Sequence, residues 1–217
     1  MVERYLQAIH CEQPGLEEPA ATRERLRDAF PKGATRRMTQ LGLLLGSVLN
    51  KLSPGEDDTL VYASVYAESR ALEEYLVSFP SASPTLFQTS IHPSAVQQAM
   101  IARQQPVRHF FPHTGRAQLV AHAVQSALLA FTPRSILCGG EERGTWLRER
   151  GAASDSSFAF ALALSSDSTG ALAKLSLAPT DRDEGELTLG EFFAALTERR
   201  PLNQSAAPGL WLTLNWQ

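Results

Sequence analysis

The sequence predicts an α/β domain with a mixed sheet and a buried central helix. Three observations predict it. Strand-like and helix-like segments alternate from the N-terminus to about residue 138, the order that builds parallel strand pairs. Two strand-like segments then follow, Phe158 to Leu164 and Ala171 to Leu177, joined by a Ser/Asp/Gly stretch that reads as the turn of a hairpin. Before them, Arg116 to Phe131 (RAQLVAHAVQSALLAF) is almost wholly small or apolar, and a helix apolar on most sides is enclosed by the rest of its fold.

The elements follow in order. Val2 to Ile9 reads as a strand, Glu12 to Pro19 as a polar loop, and Leu26 to Phe30 as a helical turn stopped by Pro31. From Thr35 to Leu52, Met38, Leu41, Leu45, Val48, Leu49 and Leu52 recur at three- and four-residue steps, a helix that Ser53-Pro54-Gly55 ends. Thr59 to Tyr66 (TLVYASVY) is β-branched and aromatic, a buried strand. Glu68 to Phe79 fits a helix with Leu72, Tyr75, Leu76 and Phe79 inward, Ser81 to Thr85 a break, Ser94 to Arg103 a helix and Val107 to Phe111 a strand. After the central helix come a strand from Arg134 to Cys138 running into a Gly139-Gly140 turn, a helical turn at Trp146 to Glu149, and the hairpin. An amphipathic helix, Leu189 to Arg199, and a last strand, Leu210 to Leu214, complete the chain.

Composition narrows the function. With 217 residues, 43% apolar and 20% charged, residues 1–217 are expected to form a single ordinary globular domain. A net charge of −3 argues against broad nucleic-acid binding. The basic cluster Arg23, Arg25, Arg27, Lys32, Arg36, Arg37 reads as a solvated face, with docking of an acidic partner such as an acyl carrier protein as its alternative. No apolar run approaches the roughly 20 residues that span a bilayer. MVERYLQAIH lacks the apolar core of a signal peptide, and two cysteines make no disulfide framework. Together these features place the chain in the cytoplasm.

No GxSxG, Walker A or GxGxxG pattern occurs, so no cofactor is implied. Five histidines, His10, His92, His109, His113 and His122, show no metal-ligand spacing, and Pro112 between His109 and His113 argues against one helical face. His122 reads as a hydrogen-bonded core residue and His113, just before the helix, as a pocket residue. Cys138 precedes two glycines at a strand end; it reads as a nucleophile in a sharp turn or as a small buried hydrophobe. Cys11 has no obvious base nearby. The acidic run Asp181, Asp183, Glu184, Glu186 reads as a solvated loop.

Three segments resemble the N-terminal half of β-ketoacyl synthases, which have the thiolase fold. They are Arg36-Arg37-Met38-Thr39 opening the first long helix, SPTLFQTSIHPSAVQQAM from Ser83 to Met100, and the stretch from Phe110 through the central helix to Cys138-Gly139-Gly140. In that family the last stretch is strand, nucleophile, central helix, strand and Gly-Gly turn. Counting back from Gly139-Gly140, the resemblance places the family's cysteine at Gly115, or at Thr114. Neither is a thiol. A condensing enzyme holds its cysteine at a helix N-terminus because the positive end of the dipole favours thiolate; glycine cannot attack a thioester, and threonine needs a strong base. The family's catalytic histidines lie in a second half of about 200 residues, whereas this sequence ends at Gln217.

Within the family, the chain is most similar to short chain-length-factor proteins, the ketosynthase partners of aryl polyene and related type II polyketide or fatty-acid-like pathways. The resemblance covers roughly residues 1 to 165. It implies a thiolase-like half fold and a pseudo-symmetric heterodimer with an active ketosynthase, paired along the strand at Val107 to Phe111. It implies no catalytic residue of its own, and contact with acyl carrier protein only through the partner. Phe87, Gln97, Met100, Phe110, Phe111, His113 and Arg116 become interface or tunnel candidates that limit chain length by bulk. Two alternatives stay open: an independent thioester-class acyltransferase or hydrolase using Cys138 or Thr114, and a scaffold that recruits carrier protein through the arginine cluster.

Overall fold

In the computed structural model, which describes residues 1–104, 106–182 and 185–217, eight strands form one sheet in the order β3-β2-β4-β5-β1-β6-β8-β7. The strands are β1 (Val2–Gly15), β2 (Thr59–Ser64), β3 (His109–Thr114), β4 (Arg134–Glu141), β5 (Ser157–Ser165), β6 (Ala173–Pro179), β7 (Leu202–Ala207) and β8 (Leu210–Trp216). The helices are α1 (Pro19–Leu26), α2 (Gln40–Leu52), α3 (Ser69–Val77), α4 (Pro84–Thr89), α5 (Ser94–Arg103), α6 (Leu119–Leu128), α7 (Trp146–Glu149) and α8 (Leu189–Thr197). β3, β2 and β4 run parallel and the remaining pairs are antiparallel, so the sheet is mixed, as the sequence predicts.

The sheet separates two cores. On one face α2 and α5 pack on β2, β4 and β5 through Leu41, Leu45, Leu49, Ala95, Ile136 and Cys138. On the other, α6 and α8 pack through Val120, Val124, Leu137, Phe160, Phe192 and Phe193. Alternation along β4 assigns its residues to these faces: Leu137 belongs to the α6 side, Ile136 and Cys138 to the α2 side, as a period of two requires. α2 is buried at every residue from Gln40 to Leu49, and its start is fixed by Thr39, whose hydroxyl accepts the Gly42 N–H at 3.0 Å, an N-cap. α8 opens with a capping box between Thr188 and Glu191.

Six features differ from the sequence reading. Phe158–Leu164 and Ala171–Leu177 are not a hairpin, because β1 lies between β5 and β6 and pairs with both; the stretch joining them is long enough to cross over a strand. The hairpin is β7–β8, closed at Gly209, whose φ of +78° suits glycine, and β7 (LNQSAA) is too polar and small to show strand periodicity. Polar residues Glu12 to Pro19 hide the end of β1 and the start of α1, and the Ser81–Thr85 break runs into α4. Leu72, Leu76 and Phe79 face outward, with 37%, 41% and 54% of their surface exposed. The Gly139-Gly140 pair does not turn: β4 runs through it to Glu141.

Candidate functional site

Strands β1, β2, β3 and β4 point the same way, so their carboxyl ends, Gly15, Ser64, Thr114 and Glu141, gather at one end of the sheet. That end is where open α/β sheets place their ligand sites. Two adjacent carboxylates organise it. Glu141, on the α6 face, accepts hydrogen bonds from the Ser64 hydroxyl at 3.2 Å and the Tyr66 N–H at 3.3 Å, and from the Val65 N–H. Glu142, on the α2 face, accepts the Leu41 N–H at 3.1 Å at the head of α2. Burial pushes both carboxyls up to about 7, against the pull of these donors. A third buried acid, Glu73, takes the N–H groups of Thr145 and Leu147 at 2.7 to 2.9 Å. Against the cost of its burial, these bonds hold its carboxyl below the usual range. Glu141 fastens the segment after β2 to the end of β4, Glu142 holds the head of α2, and Glu73 ties the Thr145–Leu147 segment to α3.

The raised Glu142 gives a pH prediction with a definite sign. Its folded form keeps a proton to higher pH than its unfolded form, so its contribution to stability is full below the ordinary carboxylate value and is lost as pH rises to about 7. Glu142→Gln removes that loss. The urea midpoint of the variant, relative to the native chain, should climb between about pH 4.5 and 7 and then level; a difference flat across that window contradicts the assignment.

The strand-to-helix connection after β3 is the candidate centre. β3 continues to Thr114, three residues beyond the expected end, and α6 begins at Leu119. Pro112 lies within the strand, tolerated because β3 is the outermost strand of the sheet. Thr114 is therefore the last strand residue and Gly115, at φ +121°, the first of the turn; neither heads the helix. The residue that does is Gln118, held at φ +58° and ψ +18°, a left-handed conformation uncommon for a non-glycine residue. Its N–H donates to the carboxylate of Glu186, from the segment preceding α8. Local residue pattern did not single out Gln118; the signal was the distance from the true strand end to the first apolar helical residue.

The remaining candidates scatter. α6 buries Leu119, Val120, Ala121, Ala123, Val124, Ala127 and Leu128 but exposes His122 and Leu129, so His122 is a surface residue and not part of the core. His113 lies in β3 and meets the Ser126 hydroxyl of α6 at 3.0 Å; burial, with His122 nearby, lowers its pKa. Arg116 is exposed, stacks over Tyr66 at 5.1 Å and bonds the Gly151 carbonyl. Phe111 shares the α6 face with His113 and is 43% exposed, whereas Phe110 packs on the α2–α5 core. Neighbouring strand residues point to opposite faces, so the two phenylalanines cannot line one channel. Met100 is buried in that same core, Gln97 is exposed on α5, and Phe87 lies on α4 against Tyr75 at 5.4 Å between ring centres.

Burial disfavours the thiolate form of both cysteines. Cys138 is fully buried in the interior of β4, where burial pushes its thiol well above the ordinary range; Cys11 is also raised by burial. Of the basic cluster, Arg25 is paired with Glu12 and Glu17 and Arg27 with Glu24 and Asp28. Arg23 donates to the Thr35 and Met38 carbonyls. Lys32, Arg36 and Arg37 are exposed, and among the described residues they have no acidic partner. Arg23, Arg36 and Arg37 border a cavity of about 180 Å³. A larger cavity of about 420 Å³, lined by Gln40, Arg70, Arg143, Trp146 and Arg148 among others, takes no residue from Thr114 to Gln118. Of the acidic run, Asp183 and Glu184 lie outside the described residues, Asp181 is exposed and Glu186 is engaged at Gln118. Among the described residues no helix is long and apolar enough to cross a membrane.

No protein-family description and no curated protein matches the sequence. Solved structures do match the fold. A chain from the ketosynthase in complex with its chain length factor from Xenorhabdus doucetiae superposes with a TM-score of 0.70 at 16% identity, over 99% of this chain and 100% of that one. The ishigamide ketosynthase/chain length factor superposes with a TM-score of 0.59 at 10% identity, over 85% of this chain and 69% of the other. The chain therefore has the thiolase-like fold of ketosynthase and chain-length-factor structures.

Proposed function

We propose that residues 1–217 act as one ketosynthase-like unit, a non-catalytic subunit of the chain-length-factor type. It pairs with an active ketosynthase, stabilises it and helps to shape the tunnel in which an acyl chain grows on its carrier protein. One observation carries the reading: at Thr114 and Gly115, where the family resemblance puts a cysteine, β3 ends and the chain turns toward α6 with no thiol. Neither residue offers a thiolate, and Gln118, which heads α6, is an amide and no nucleophile. The end-to-end fit to a chain of a ketosynthase and chain-length-factor complex supports the same reading.

The surface fits pairing. β3 is an edge strand, whose outer backbone groups favour addition of another strand. Beside it Phe111, Leu129 and Phe131 are 43%, 58% and 75% exposed, apolar surface that a partner would cover. The ketosynthase would supply the cysteine and the histidines. Carrier protein would reach this subunit through the partner, and the exposed Lys32, Arg36 and Arg37 favour a supporting contact with an acidic surface. The test is expression of the chain alone and with its neighbouring ketosynthase. The chain alone should aggregate, and co-expression should yield a soluble 1:1 complex by analytical ultracentrifugation. A stable, monodisperse monomer that ignores the ketosynthase would sink the obligate-partner reading.

A further inference from the structure

We propose that Arg4 is a positioning residue for the surface that meets the ketosynthase: its buried guanidinium gathers the carbonyls that follow α6 and sets how Leu129 and Phe131 are presented beside the edge strand β3. The proposal rests on the pairing reading above. Arg4 lies in β1 and is 7% exposed. Its Nε donates to the Leu128 carbonyl at 3.2 Å and its Nη1 to the Pro133 carbonyl at 3.2 Å; its Nη2 donates to the Thr132 carbonyl at 2.9 Å and to the Ala130 carbonyl. One guanidinium thus spends most of its donors on residues 128–133. Among the described residues no carboxylate pairs with it, and burial alone lowers its pKa. Burying an unpaired cation is costly. Here the last carbonyls of α6, which lack intrahelical partners and carry the negative end of its dipole, answer the charge.

The segment so held turns apolar side chains outward. Leu129 and Phe131 are exposed, and they alternate with Leu128, Ala130 and Thr132, whose carbonyls Arg4 holds. Thr132 adds a second anchor: its hydroxyl meets that of Thr59 in β2 at 2.8 Å and donates to the Arg134 carbonyl at 2.8 Å. Phe131 reaches the edge of the sheet. Its ring meets His109, the first residue of β3, edge-on with 4.5 Å between centres. His109 and Phe111 share a face of β3, so Phe131 extends the exposed apolar surface that Phe111 begins. A loop that only faces water needs no such fixing. Two exposed apolar side chains held in one attitude suit a partner that finds them preformed, because ordering side chains on binding costs affinity.

The test uses the full chain as Arg4→Met and as Arg4→Lys. Methionine keeps an apolar stem and loses every donor; lysine keeps the charge without the planar fork that spans several carbonyls. The Leu129 N–H donates to the Gln125 carbonyl at 2.9 Å, and its amide exchange should rise about tenfold in both variants while the interior of α6 stays protected. Unchanged exchange overturns the proposal. Pairing is read by surface plasmon resonance against the ketosynthase, in a double-mutant cycle with Phe131→Ala. In the native background Phe131→Ala should weaken association about tenfold. In either Arg4 variant it should weaken association less than about twofold, because the ring is no longer held for contact. Equal losses in the native and Arg4 backgrounds overturn the proposal. So does a chain that folds with neither substitution, since Arg4 then holds the whole fold and not this surface. A native chain that binds no ketosynthase overturns the pairing reading and this proposal with it, whereas binding with equal losses overturns the proposal alone.

Discussion

Gly140→Ala is expected to unfold the chain under conditions in which the native protein is stable. A Cβ at this position would lie 2.3 Å from the Phe158 carbonyl oxygen, 3.0 Å from the Ala159 Cα and 3.1 Å from a Leu41 methyl carbon. Two of these neighbours are backbone of the adjoining strand, β5, where Gly140 pairs with Ala159, so no rotamer change relieves the contact. The third belongs to α2, whose first turn Glu142 fixes only two residues further along. Shifting β4 away from β5 breaks the ladder; shifting α2 away opens the core behind Leu41. Overpacking usually costs about 1–3 kcal/mol, and a contact against backbone on one side and a buried leucine on the other should reach at least the top of that range. Circular dichroism during urea titration should show the midpoint collapse. A variant as stable as the native chain would mean that β4 does not pass this close to β5. Gly139 has the matching constraint on the opposite face, where a Cβ would meet the Ala63 carbonyl at 2.5 Å and the Phe160 ring at 2.9 Å.

Phe111→Asp should abolish pairing with the ketosynthase while leaving the fold intact. Phe111 is on the edge strand and already 43% exposed, so its loss removes little from the core. If β3 meets a partner strand, the side chain becomes a desolvated aromatic at the centre of the contact, where truncation commonly costs 2 kcal/mol or more. An aspartate adds the cost of burying a charge without a partner. Together these predict at least a hundredfold loss of association by surface plasmon resonance. Phe110→Asp should instead damage the fold, because Phe110 faces the α2–α5 core. If Phe111→Asp still binds as tightly as the native chain, the edge of β3 is not the contact.

How far the sequence leads depends on whether an element's signal is local. α2, β2, α5 and α8 show clear periodicity or β-branched runs, and they fold where the pattern puts them. The position of β1 between β5 and β6 has no local signature, because strand order is set by contacts more than 150 residues apart, such as Tyr5 with Ser165. β7 has a small, polar sequence and becomes a strand only because β8 offers it a ladder. Around the site the bounds of the flanking elements differ from the sequence reading. β3 runs three residues past Phe111 through Pro112, which an edge strand accommodates, and the first residue of α6 is Leu119 where the sequence reading has Arg116. Thr114, Gly115 and Gln118, which heads the helix, all lack a thiol. Glu186 was invisible for the same reason as β1: its partner is 68 positions away.

The most direct measurement is condensation by a reconstituted complex in which this chain carries no candidate nucleophile. Thr114→Val, Cys11→Ser and Cys138→Ala combined should leave carrier-bound chain elongation within about twofold of the native complex, while loss of the ketosynthase's own cysteine should stop it. Elongation that survives loss of the ketosynthase cysteine but fails with the substituted chain would show that this subunit does the chemistry, and would contradict the account.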